Sequence, residues 1–207
     1  MDIKNDKSTE ELILQAAERL FLEKGFAATS TTQIAREVGC NQALVHYYYR
    51  TKDNLFNVVF ETKFKEFFNH IFEVKDLEKL PFQEKLKHVI ESHFEMVRAN
   101  PKLPMLIATE LAKRPEQIRI LREKLRAIPE KLLARMEAEL QAEIDAGRIK
   151  PTTMMDLILN MVSLNVALFI MMPIATEIME LNENQKQFVI EHRKQQNVDL
   201  ILSSLRP

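Results

Sequence analysis

Gln42, His46, Tyr47, Tyr48 and Lys52 fall within eleven residues, between the turn Gly39-Cys40 and the end of the short run that Thr51 closes. Their chemistry is recognition rather than bond-making. A Gln amide can meet N6 and N7 of an adenine together, phenols and an ammonium suit phosphate oxygens, and the small or apolar Ala43 and Leu44 fit a thymine methyl. His46 suits packing and a phosphate contact equally well. Just upstream, Ser30, Thr31 and Thr32 place hydroxyls at a helix start, where backbone amides and the helix dipole already favour phosphate.

The rest of the chain offers little that could make or break bonds. His70, His88, His93 and His192 form no His-Glu-x-x-His, Cys-x-x-Cys or Glu-x-x-His pattern, and His88 with Glu91 is a solvated pair. With three glycines in 207 residues there is no phosphate-cradling loop and no Gly-x-Ser-x-Gly elbow. No enzymatic activity, catalytic residue, metal or cofactor is expected.

Charge is balanced, 29 basic against 30 acidic residues, so a polyanion footprint must be local. Locally it is modest: between positions 24 and 66, Lys24, Arg36, Arg50, Lys52, Lys63 and Lys65 face Glu37, Asp53, Glu61 and Glu66. The lone Cys40 reads as a small hydrophobe and excludes an intramolecular disulfide, and the polar start MDIKNDKSTEE is no secretory signal, which makes the cytoplasm the expected compartment. Residues 154–175 are almost continuously apolar. Asp156, Asn160, Asn165 and Pro173 within them, and the acidic flank Glu177 and Glu180, argue for a core and subunit-contact helix rather than a membrane span.

The elements that must hold these residues are all helical, as the scarcity of Gly and the wealth of Leu, Glu, Lys, Met and Ala imply. Ser8-Thr9-Glu10-Glu11 is a capping box for a first helix over 9–24, with Ile13, Ala16, Ala17, Leu20 and Phe21 on one face and Gly25-Phe26 as a left-handed stop. Ser30-Thr31-Thr32-Gln33 opens a second helix, which carries Ile34, Ala35 and Val38 and ends at Gly39. Asn41 caps a third, Gln42 to Tyr49. Two short helices across a Gly-containing turn are the helix-turn-helix pattern.

A long helix from Lys52 carries Leu55, Phe56, Val59, Phe60, Phe64, Phe67 and Phe68 and joins the two halves without a flexible linker. Pro81 opens a helix that runs to Asn100-Pro101, and Leu103 to Lys113 is a short one. A helical period then runs through Ile118, Leu121, Leu125, Ile128 and Leu132 to Gly147, with Pro129 a kink or a new start. An apolar helix near 154–172 and a last one from about Asn184 to Leu205 follow. The latter ends in the stripe Val198, Ile201, Leu202, Leu205, spaced to pack on a partner helix.

Residues 25–55, GFAATSTTQIAREVGCNQALVHYYYRTKDNL, resemble the DNA-binding domain of the TetR (tetracycline-repressor-like) family: a Gly-aromatic stop, a Ser/Thr-capped helix with Ile-Ala, a Gly turn, an aromatic-rich recognition helix and a Lys-Asp opening of the next helix. The resemblance covers about 9–60; downstream it is architectural. It implies an all-α fold with a helix-turn-helix domain at 1–55 and a helical ligand-binding and dimerisation domain at 56–207. It also implies double-stranded operator DNA as partner, a homodimer on a palindrome, and a small-molecule effector that relieves repression. Tyr49 takes the family's buried aromatic position, which leaves Tyr47 and Tyr48 for DNA. His46, Leu44, Ala43 and Cys40 depart from the Tyr, Thr, Gly and Val that are usual there.

Candidate ligand contacts in the C-terminal half are His93, Met96, Met105, Thr109, Met161, Asn165 and Phe169, apolar walls with a few polar groups that suit an amphipathic molecule. Each is also an ordinary core residue. The competing readings are a helical ligand-carrier or interaction module that keeps the fold without DNA binding, which the modest local charge favours, and an enzyme on a helical bundle, which lacks a catalytic set.

Overall fold

The computed structural model describes residues 8–72, 79–111, 118, 119, 123 and 127–207. Regular structure among them is helical: α1 (Thr9–Lys24), α2 (Thr31–Val38), α3 (Gln42–Tyr49), α4 (Lys52–Phe72), α5 (Phe82–Ala99), α6 (Leu103–Leu106) with a π-helical turn at Ile107–Leu111, α7 (Ala127–Asp145), α8 (Met154–Ile178) and α9 (Glu183–Ser204). The side chains of Phe64, Phe67, Phe68, His70, Ile128 and Leu132, and residues Lys113, Leu121 and Leu125, lie outside the described residues.

Two compact units emerge, one from 1–65 and 105–125, the other from 66–104 and 126–207. The helix-turn-helix unit therefore takes in the first turns of α4 as well as α1 to α3. Caps set its boundaries. Ser8 with Glu11, and Ser30 with Gln33, form reciprocal capping boxes, and the Asn41 carboxamide accepts from the Ala43 amide. Gly39 ends α2 in the left-handed region, whereas Gly25, at φ 80° and ψ 167°, stops α1 in a positive-φ extended conformation rather than the expected left-handed helical one. The predicted face Ile13, Ala16, Ala17, Leu20 and Phe21 is buried, together with Phe26, Ile34, Val45, Leu55 and Phe56. Phe56 meets Phe21 edge-on at 5.2 Å and Phe26 at 4.9 Å. Aromatic pairs of this kind add about 0.5–1.5 kcal/mol each beyond their burial.

In the second unit α5, α7, α8 and α9 pack around Phe82, Leu86, Ile90, Met136, Leu140, Leu157 and Met161. Pro129 lies near the start of the described part of α7, and the residues just before Ala127 are outside the described ones. The apolar helix α8 continues past Pro173 to Ile178, beyond the predicted stop near 172.

One expectation is corrected here. The stripe Val198, Ile201 and Leu205 does not await a partner subunit: all three are buried in this same core, against α5 and α8. Spacing identifies an apolar face but not which surface covers it.

Candidate nucleic-acid interface

Helix α3 is held by one side and presents the other. Val45 and Tyr49, four residues apart, are buried, whereas Ala43, Leu44, His46 and Tyr47 are exposed and Gln42 and Tyr48 half-buried. Tyr49 is 5% exposed and its hydroxyl donates to the Glu10 carbonyl at 3.0 Å, which ties α3 to α1. Burial, reinforced by Glu10, raises this phenol to about 12. Tyr47 is 65% exposed and stands edge-on to Tyr48 at 5.2 Å. Of three successive tyrosines one is therefore an anchor, and two are left on or near the surface.

The hydroxyls of α2 and the head of α3 form one polar chain. Thr32 donates to Gln42 Oε1 at 3.0 Å, Gln42 Nε2 donates to Thr31 Oγ1 at 3.0 Å, and the same Nε2 lies 3.2 Å from His46 Nε2. His46 Nδ1 in turn lies 3.1 Å from the Arg50 carbonyl. Ser30 is occupied differently, as the α2 cap: its hydroxyl accepts from the Gln33 amide at 3.2 Å. The structure thus brings Thr31, Thr32, Gln42 and His46 together, while Ser30 serves the backbone.

Lys52, expected to offer its charge to phosphate, is instead turned toward its own unit. Its Nζ donates to the carbonyls of Phe26 at 3.0 Å and Thr29 at 2.9 Å, and sits 4.1 Å from the centre of the Phe26 ring. It closes the loop between α1 and α2. Two residues absent from the sequence-based set complete this brace. Thr29 is buried and donates to the Leu20 and Gly25 carbonyls; Asn54 donates to the Tyr49 carbonyl at 2.9 Å and so fixes the end of α3. A Thr four residues after a Gly stop was the only signal of the first that the sequence carried.

The predicted ligand contacts divide between the units. Buried His93, Asn165 and Phe169 belong to the C-terminal unit with buried Met161 and half-buried Met96. Asn165 Nδ2 donates to the Ile90 carbonyl at 3.0 Å and lies 3.1 Å from His93 Nδ1, and Asn197 Nδ2 donates to Asn165 Oδ1 at 2.9 Å. Phe169 meets Phe94 at 5.3 Å. Met105 and Thr109 group with the other unit, both exposed, and Thr109 donates back to the Met105 carbonyl. Among the described residues no group of His, Cys, Asp or Glu is placed to hold a metal ion.

Residues 13–59, which include the whole of this helix-turn-helix, match the family described as bacterial regulatory proteins, tetR family. These residues are thus similar to the DNA-binding domain of that family. The curated proteins that the chain matches are regulators rather than enzymes. It is 28% identical to the fatty acid metabolism regulator protein of Bacillus subtilis over 138 residues, 67% of this chain and 69% of that one. It is 25% identical to the HTH-type transcriptional regulator YhgD of the same organism over 141 residues, 68% and 72% of the two chains. Among solved structures, a tetR-family regulatory protein from Rhodococcus RHA1 matches with a TM-score of 0.69 at 18% identity, over 97% of this chain and 98% of that one. FadR from Bacillus subtilis in complex with stearoyl-CoA matches with a TM-score of 0.62 at 22% identity, over 95% and 99%. These two show that the tetR architecture extends over the C-terminal helices as well.

Proposed function

We propose that this chain is a tetR-family regulator, acting in the cytoplasm as a homodimeric repressor that binds a palindromic operator through α3 and is released by an acyl-type effector. The observation that carries the DNA-reading part is the division of α3: an anchored face of Val45 and Tyr49, and an outward face of Ala43, Leu44, His46 and Tyr47 flanked by Gln42 and Tyr48. A helix held from behind can enter a major groove without leaving the protein. Gln42 then faces base edges, Ala43 and Leu44 touch a thymine methyl, and the two phenols with Thr31 and Thr32 reach phosphates.

Support for the dimer comes from α8. An 18-residue window within its 25 residues has a mean hydropathy of 2.1, enough by length and composition to cross a membrane, and only 22% of that window is buried. Met155, Leu159, Ile170, Met171, Ile174 and Ile178 are exposed on it. A monomer rarely leaves an apolar surface of that extent in water, and a two-fold interface covers it with its own copy. Buried Asn165, bonded into α5 and α9, marks the opposite side as protein core. Val198, Ile201 and Leu205, buried against α5 and α8, are not available to this contact.

The effector class follows from the fatty acid metabolism regulator, the 28% identical relative, and from the aromatic and Met-rich interior of the second unit. The candidate contacts there are His93, Met96, Met161, Asn165 and Phe169; Met105 and Thr109, in the other unit, are not part of it. A mobility-shift titration with the DNA upstream of the protein's own gene, repeated with stearoyl-CoA as probe, tests the proposal. Retardation that survives random competitor and is relieved by the acyl-CoA is expected; no retardation, or release by coenzyme A alone, overturns it.

A further inference from the structure

The polar chain on α3 fixes more than the position of Gln42. A carbonyl oxygen can only accept, so the bond to the Arg50 carbonyl requires the proton of neutral His46 to sit on Nδ1. Nε2 of His46 is then an acceptor, and the Gln42 atom 3.2 Å away must be the donating nitrogen. Both hydrogens of that nitrogen are thereby engaged, one by His46 and one by Thr31. The amide oxygen takes the Thr32 hydroxyl proton and keeps one lone pair. Arg50 itself adopts φ 64° and ψ −57°, a conformation uncommon for a residue with a side chain, and the Thr51 amide donates to the Tyr49 carbonyl at 2.7 Å across it. That turn aims the Arg50 carbonyl at His46.

We infer that His46 is a specificity-determining positioning residue: it fixes the direction of the Gln42 amide so that Gln42 offers DNA an accepting oxygen and no free N–H. The inference rests on the reading of Gln42 as a base reader. A free glutamine can rotate to serve any base. The one held here matches bases with an amino group on the major-groove edge, N6 of adenine or N4 of cytosine, and disfavours guanine and thymine, which present O6 and O4 at that place. The two-point contact with adenine N6 and N7 requires release of Thr31 or His46; the single accepted bond requires no release.

The test begins with selection from a duplex library with a randomised core by the wild-type dimer and by Gln42→Ala, which locates the base pair whose choice depends on Gln42. Four duplexes that differ only at that pair are then titrated by fluorescence anisotropy with wild type, His46→Ala and His46→Gln. Wild type is expected to favour the amino bases over the keto bases about tenfold or more. His46→Ala should bring that ratio below about threefold. His46→Gln, which restores an acceptor four residues from Gln42, should recover most of it. A merely structural loss weakens all four duplexes alike and leaves their ratio standing. A ratio unmoved by His46→Ala, or a wild-type preference for guanine or thymine, overturns the inference alone; if Gln42→Ala changes no base choice anywhere, the reading of Gln42 falls with it.

Discussion

At the scale of single residues, Lys52 shows how the fold can claim a side chain that its sequence neighbours assign elsewhere. A lysine that opens a helix beside a DNA-reading element suggests phosphate, and nothing in its neighbours along the chain says otherwise. The two carbonyls that hold it come from Phe26 and Thr29, brought near only by the fold. Lys52→Ala should therefore lower unfolding stability by on the order of 1–3 kcal/mol, the usual cost of losing hydrogen bonds to a charged group. The slope of DNA affinity against salt should stay as in wild type. Chemical denaturation and a salt series on the same variant check both; a slope reduced by about one with stability intact would restore the phosphate role. Tyr49 is the opposite case. Its anchoring position was legible because the resemblance assigns a buried aromatic there, and the structure buries it.

At the scale of elements, the caps were legible and the coverings were not. Ser8, Ser30 and Asn41 sit at the starts that their hydroxyl or carboxamide chemistry dictates, since a cap is satisfied by residues two or three positions away. The stripe on α9 depends instead on helices far off in sequence, so its period could not distinguish a partner from its own α5. Where α5, α8 and α9 meet, Asn165 joins His93 to Asn197 inside an otherwise apolar core. Burial lowers the His93 imidazole to about 4, below the roughly 6.5 of an unfolded chain. The unfolded state therefore takes up the proton first. This contribution is whole above about pH 6.5 and is lost as pH falls toward about 4, on the order of 3 kcal/mol in all. Urea midpoints between pH 7.5 and 4.5 should drop more steeply for wild type than for His93→Gln; parallel curves would place the acid sensitivity elsewhere.

At the scale of the whole molecule, the all-helical architecture could be read from composition, periodicity and the residues 25–55, because each of these acts locally. Which side of α8 faces outward could not, since the helix is apolar nearly all round and only the fold shows that Leu157, Met161 and Asn165 turn inward while Leu159 and Met171 turn out. Placing a charge on the outer side is the direct way to expose its use. Leu159→Glu with Met171→Glu should convert a dimer to a monomer in size-exclusion chromatography with light scattering, with helical content kept; a wild-type protein that is already monomeric at micromolar concentration would remove the dimer from the account.

The claim on which the rest depends is that the outer side of α3 reads DNA. It is tested most directly by titrating the upstream duplex and a random duplex of equal length across a salt series, with wild type and with the double variant Gln42→Ala, Tyr47→Ala. The account predicts a specific-over-random ratio well above tenfold for wild type, which collapses toward one in the variant while its thermal midpoint is unchanged, both altered side chains lying outside the buried core. Equal affinity of wild type for the two duplexes at every salt concentration, or a variant that discriminates as well as its parent, would contradict it.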